Sequence, residues 1–127
     1  MKVCLGNIEF EIENEEEFKN LGHQFNENEE VNIIGLENEP SITILINKSH
    51  AFLIFQRFTE DHGFHSLNEN LNLLGFKEFI LRNGQADEYP QKYLIDRKRG
   101  LDAFFYFLET RMMDPRIDWI SQAIGTI

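Results

Sequence analysis

The chain has 127 residues, 42% of them hydrophobic, with twelve Phe, one Cys and a formal charge of −10. That composition supplies one core, burying roughly two-thirds of the unfolded surface, and argues against disorder. The lone Cys4 excludes an internal disulfide, Glu9 arrives too early for a secretory apolar run, and nothing approaches the ~18–20 apolar residues of a membrane span, so the chain reads as a single cytoplasmic domain over residues 1–127.

In chain order, residues 3–5, a Gly6-Asn7 turn, and Ile8, Phe10 and Ile12 alternating with Glu9, Glu11 and Glu13 predict a β-hairpin. Asn14, with Glu17 three residues on, predicts the capped start of a helix over 15–26 whose buried stripe is Phe18, Leu21 and Phe25. Ile42, Ile44 and Ile46 alternate along 41–47, and 51–58 is strongly apolar; together they predict a central hairpin. A turn at Glu60-Asp61-His62-Gly63 leads to a short strand over 64–67. Asn83-Gly84 is the strongest short hairpin signal and joins strands at 77–82 and 85–89. Asp96 caps a second helix over 97–112 with the stripe Leu101, Phe104, Phe105, Leu108 and Met112, widened by Tyr106 and Phe107; Asp114-Pro115 stops it before a last strand over 117–120. The expected class is α+β: an antiparallel sheet of six or seven strands, including 41–47, 51–58 and 77–82, packed with two helices.

The charge is uneven. Residues 1–69 hold fourteen acidic and four basic side chains, whereas residues 70–127 hold eight of each. Between Glu9 and Glu39 there are eleven Glu and one basic residue, Lys19. A surface of this sign attracts cations and basic proteins and rejects nucleic acid. Glu15, Glu16 and Glu17 suit a helix N-terminus, but Glu27, Glu29, Glu30, Glu37 and Glu39 serve neither a cap nor an alternating strand. Those five are the candidate partner-binding residues as a group, with solvated loop acids as the single-residue alternative; Asp61 and the Tyr89–Tyr93 pair flanking Pro90 are further candidates, core packing being the favoured reading of the two tyrosines. Lys92, Arg97, Lys98 and Arg99 form the one basic cluster, expected to pair with the acidic half of the same molecule.

No catalytic or cofactor motif of comparable strength is present. Asp61, His62 and His65 are the only clustered metal-type residues, and on a strand the two histidines point to opposite faces. Cys4 sits among apolar neighbours, where thiols are inert, and the glycines form no phosphate loop. No catalytic, cofactor or metal site is expected.

The stretch Asn83-Gly84, Glu88-Tyr89-Pro90, Leu94-Ile95-Asp96, a helix bearing Leu101, Ala103, Phe107-Leu108 and Thr110, and then Pro115-Arg116-Ile117-Asp118-Trp119, resembles the immunity proteins of bacterial polymorphic-toxin and contact-dependent growth inhibition systems. The hairpin 42–46 and 51–55 fits that family's central sheet, so the likeness spans roughly residues 41–120. Its matching residues are core and turn residues, and Arg111-Met112-Met113-Asp114 stands where members often place a glycine before the proline. The resemblance implies a non-enzymatic protein that binds one cognate toxin domain 1:1, commonly a nuclease or deaminase, with no nucleic acid or membrane as partner. An acidic regulatory or adaptor module, and a small metal-dependent hydrolase using Asp61, His62 and His65, are the competing readings.

Overall fold

A computed structural model describes residues 2–5, 8–22 and 25–122. Strands β1 (Lys2–Leu5) and β2 (Ile8–Glu11) form the first hairpin, and the short helix α1 (Glu15–Gly22) follows. The Gly6-Asn7 turn and the Phe18 and Leu21 side chains lie outside the described residues. Asn14 Oδ1 accepts from Glu17 N at 2.9 Å, and Glu17 Oε2 accepts from Glu13 N at 3.0 Å, so the cap works as its residue types require. Then come β3 (Glu29–Ile34), β4 (Ser41–Ile46), β5 (His50–Gln56), β6 (Phe64–Leu67), β7 (Phe76–Ile80) and β8 (Ala86–Pro90). A single 3-10 turn (Gln91–Tyr93), the two-residue β9 (Ile95–Asp96), helix α2 (Arg97–Thr110) and β10 (Asp118–Ser121) complete the chain order.

The main sheet runs β10-β6-β5-β4-β3-β1-β2, and β9 pairs with β5 beyond the end of β6. Every described pairing is antiparallel. The α+β class is therefore as expected, but the described residues form ten strands rather than six or seven. Two of them, β3 and the two-residue β9, have no counterpart among the expected elements. Strands β7 and β8 do not join the main sheet either; they form a separate two-stranded ribbon.

Helix α2 lies across one face of the sheet. Its Ala103, Phe104, Phe107 and Leu108 pack with Val31, Ile33, Ile42, Ile44, Ile46, Leu53 and Phe55. The ribbon covers part of the other face, where Phe79, Tyr93 and Leu94 meet Leu45 and Phe52. Each fully buried side chain of this kind contributes about 1.5–3 kcal/mol, so both layers matter to stability. Among the described residues only α2 packs broadly on the sheet. The expected pair of packed helices is thus met by one, with α1 a two-turn segment alongside it. Met112 also departs from its expected place in the buried stripe: α2 ends at Thr110, Phe107 takes the buried position, and Met112 is exposed.

Asp96 caps α2 by accepting from Arg99 N, as its position predicts. At the other end Arg111 adopts φ 61°, a left-handed C-cap that ordinarily favours glycine. This is the segment where the family likeness calls for one.

Two close contacts set how the layers sit. Gly100 packs against Ala51, and a Cβ there would collide with the Ala51 Cβ while standing 3.5 Å from Ile44 Cδ1. Gly100→Ala gains up to about 1 kcal/mol of helix propensity but overpacks a rigid contact, a cost of about 1–3 kcal/mol. Urea denaturation is expected to show a net loss of stability, with an unchanged or improved midpoint as the contrary result. Buried Ser66 supplies the second contact: its Oγ accepts from Leu53 N at 3.1 Å and donates to the Tyr93 carbonyl at 2.9 Å. Ser66→Ala leaves both backbone groups unpaired and should cost about 1–3 kcal/mol by the same measurement.

Candidate protein-binding surface

Strand β3 decides where the acidic candidates go. Glu29 and Glu30 open it, and Glu37 and Glu39 lie in the turn that follows it. Six residues at ~3.3 Å each separate the two groups by ~17 Å or more, so the five do not form one cluster. Glu27, Glu29 and Glu30 stand at one end of the sheet; Glu37 and Glu39 stand at the other.

Several of these acids also have local work, contrary to the expectation that none does. Glu29 Oε1 accepts from Asn26 N at 3.2 Å and from Asn26 Nδ2 at 2.8 Å, which ties down the approach to β3. Half-buried Glu30 accepts from Arg82 N at 2.9 Å and from Asn32 Nδ2 at 3.1 Å, linking the sheet to the ribbon turn. Glu39 Oε1 accepts from Leu36 N at 3.2 Å, and the Glu37 carbonyl accepts from Thr59 N at 2.9 Å. The Glu27 side chain is exposed, while its carbonyl takes a 2.8 Å bond from Arg97 Nη1. Glu27, Glu37 and Glu39 are thus the three of the five whose side chains are exposed.

Asp61 is withdrawn from the surface. Its carboxylate accepts from Arg57 N, Nε and Nη2, each at 2.9 Å, and it is buried. The bonds from Arg57 hold its carboxyl well below the usual carboxylate range. Tyr93 is also buried: its ring meets the His65 ring edge-on at 4.5 Å, with Lys92 Nζ 5.2 Å from its centroid. Half-buried Tyr89 stacks on Phe52 at 4.7 Å and meets Phe79 edge-on at 5.8 Å. Burial first, then the Asp87 charge and hydrogen bond, push its hydroxyl up to about 12. Both tyrosines serve the second core and neither stands out as a free anchor.

The metal-type residues are separated in space as well. Asp61 faces Arg57, His62 is exposed in the turn, and His65 is buried on the ribbon side of β6. Nδ1 of His65 donates to the Ser66 carbonyl at 2.9 Å, while its Nε2 is buried with no partner. Among the described residues no group of three His, Cys, Asp or Glu is placed to hold a metal ion. Of the basic cluster, Arg99 alone forms the expected ion pair with the acidic half among the described residues. Arg97 bonds the carbonyls of Asn26, Glu27 and Asn47, and Arg99 pairs with Glu69 at 3.3 Å, whereas Lys98 pairs within its own helix with Asp102.

The end of the sheet that carries Glu37 and Glu39 has a feature the residue types alone did not reveal. The turn 35–40 and the turn 57–63 are joined by the Thr59–Glu37 bond, and they present Leu36, 77% exposed, and Phe58, 45% exposed. A shallow cleft of about 630 Å³ opens beside them, lined by Lys2, Glu11, Ile34, Leu36, Glu39 and Arg111. Apolar side chains ringed by charge are the composition of a protein contact surface. Leu36, alone between Gly35 and Glu37, offered only a weak signal; Phe58 read as the continuation of a strand that ends at Gln56.

No protein-family model matches the chain, and no curated protein matches it in sequence. No helix among the described residues is long and apolar enough to cross a membrane.

The buried groups define a pH response in two windows. Desolvation lowers the pKa of His65 below 6.5, so the folded chain refuses a proton that the unfolded chain accepts. Stability should therefore fall as pH drops below about 6.5, with His50, also lowered by burial, adding to the same limb. Asp61 and Asp114 have lowered values, so their contribution is complete above the ordinary 3.8 and disappears as pH falls through their folded values. Thermal melts against pH are expected to show a shallower upper limb in His65→Leu and a shallower lower limb in Asp61→Asn. Unaltered slopes in both variants would contradict these assignments.

Proposed function

We propose that this protein is an immunity protein, acting in the cytoplasm, which neutralises a cognate basic toxin domain of the nuclease or deaminase class by 1:1 binding. The observation that carries this reading is the confinement of the whole −10 charge to residues 1–69. Nuclease and deaminase domains must attract nucleic acid, so they offer positive surfaces that a strongly negative protein can occupy in its place. The resemblance over residues 41–120 supports the same class. Binding rather than catalysis fits the candidate polar groups: the Asp61 carboxylate is engaged by Arg57, and His65 has no route to solvent.

Division of labour between charge and contact follows from physics. Exposed ion pairs contribute ~0.2–1 kcal/mol each, too little to fix a complex, but their summed field raises the encounter rate. Glu27, Glu37 and Glu39, with the half-buried Glu29 and Glu30, supply that field. Leu36 and Phe58 supply apolar area beside two of them.

The test is binding to the protein encoded by the reading frame adjacent to this gene, in a catalytically inactive form. A saturable 1:1 complex is expected, with activity of the active form suppressed stoichiometrically. Replacing Glu27, Glu29, Glu30, Glu37 and Glu39 together by Gln should slow association on the order of tenfold at low salt, with the difference shrinking as salt screens beyond ~8–10 Å. No complex with that product, or binding to an unrelated regulatory protein instead, would favour the adaptor reading.

A further inference from the structure

The β7–β8 ribbon turns one face to the protein and one to water. Phe79 and Tyr89 point inward to the second core, so Phe76, Glu78 and Ile80 on β7 and Ala86, Glu88 and Pro90 on β8 share the opposite face. The register sets Phe76 opposite Pro90, Glu78 opposite Glu88, and Ile80 opposite Ala86. Two carboxylates therefore stand directly across from each other between two apolar pairs. Like charges in that position destabilise a hairpin. Neither side chain meets a cation or hydrogen-bond donor among the described residues; the bonds that Glu78 and Glu88 do make use their backbone carbonyl and N–H respectively.

Apolar surface continues past the end of the ribbon. Phe76 is 59% exposed, and the preceding turn presents Leu71 at 58% and Leu74 at 86%. That turn is fastened rather than loose. Asn68 N donates to the Lys92 carbonyl at 2.8 Å, Asn68 Nδ2 to the Leu94 carbonyl at 2.7 Å, and Gln91 Nε2 to the Leu74 carbonyl at 2.8 Å. Gln91 N adds a bond to the Gly75 carbonyl at 3.0 Å. Large apolar side chains held out on a fixed backbone are preorganised for contact, because little ordering remains to be done on binding.

We propose that this outward face is a docking surface for a protein partner whose contact element carries an arginine or lysine between apolar side chains. The cation sits between Glu78 and Glu88 and relieves their repulsion; the flanking apolar groups cover Phe76 and Leu74. An arginine suits the site best, since its planar fork serves two carboxylates at once. The same two carboxylates disfavour a second copy of this chain across a two-fold axis and an anionic lipid surface. The inference does not rest on the toxin reading: the ribbon lies in the half of the chain with no net charge.

The test uses the full-length ¹⁵N-labelled protein and the probe peptide acetyl-Leu-Arg-Leu-Arg-Leu-amide, with acetyl-Leu-Gln-Leu-Gln-Leu-amide as the neutral control. Saturable amide shifts are expected at residues 76–80 and 86–90 for the cationic peptide, with the neutral one binding about tenfold more weakly. Glu78→Gln with Glu88→Gln, conservative changes on an exposed face, should weaken the cationic peptide by a similar factor while raising the melting temperature. That opposite movement marks carboxylates kept for binding at a cost in stability. Shifts confined to residues 9–39, equal binding of both peptides, an unaffected double variant, or no saturable binding at all would each overturn the proposal.

Discussion

Everything in this fold depends on strand β5 being buried from both sides. Ala51, Leu53 and Phe55 face α2, and Phe52 faces the ribbon. One edge of β5 pairs with β4 along the strand, while the other is shared by β9 at its start and β6 near its end. The interval between those two short partners would leave the Leu53 N–H without an acceptor. Ser66 Oγ fills that role and passes a bond on to Tyr93, so one hydroxyl joins β5, β6 and the 3-10 turn. A buried backbone donor with no partner costs about 1–3 kcal/mol, a large fraction of a small domain's stability, which makes this small residue a structural keystone.

Helix α2 can lie on β5 because Gly100 has no Cβ where Ala51 approaches. That placement carries the C-terminus of α2 to the end of the sheet where the turns 35–40 and 57–63 emerge, and Arg111 helps to line the cleft there. The helix start, at the opposite end, brings Arg97 to the carbonyls of Asn26 and Glu27. One close contact in the core thereby fixes which charged segments share each end of the molecule.

The sequence was most informative where pattern and local chemistry coincide. Asn14 with Glu17, Asp96 before α2, the alternating isoleucines of β4, and Asn83-Gly84 all occupy the places their physics demands. Strand β3 was hidden because it opens with two glutamates, and its polar positions are occupied by side chains bonded to Asn26, Asn32 and Arg82. The first two are local, but the bond from Arg82 N spans 52 residues, and no periodicity displays it. The same limit applies to the ribbon: Asn83-Gly84 announces a hairpin, but which sheet a hairpin joins depends on Phe79, Tyr89 and Phe52 finding one another. Of the candidate surface, the sign and location of the charge were legible, and core packing was the favoured reading of Tyr93; the withdrawal of Asp61 into the interior was not legible. Leu36 and Phe58 became visible only as the exposed ends of turns.

Separating the acids along β3 has different consequences for encounter and for contact. A field that decays over ~8–10 Å at physiological salt leaves groups ~17 Å apart largely independent, whereas at low salt its reach of ~30 Å merges them, so attraction of a basic partner tolerates the split best at low ionic strength. Short-range recognition does not tolerate it, because an interface is organised around a few well-packed side chains near its centre. The acids alone therefore cannot define where a partner seats. Exposed apolar groups on fixed backbone can, and the described surface offers them at the Leu36–Phe58 end and along the Leu71–Phe76 segment. Both lie beside carboxylates, and both are held by turns whose hydrogen bonds are satisfied within the chain. On the proposed reading, long-range charge would govern how fast a partner arrives, and these rigid apolar points where it stays.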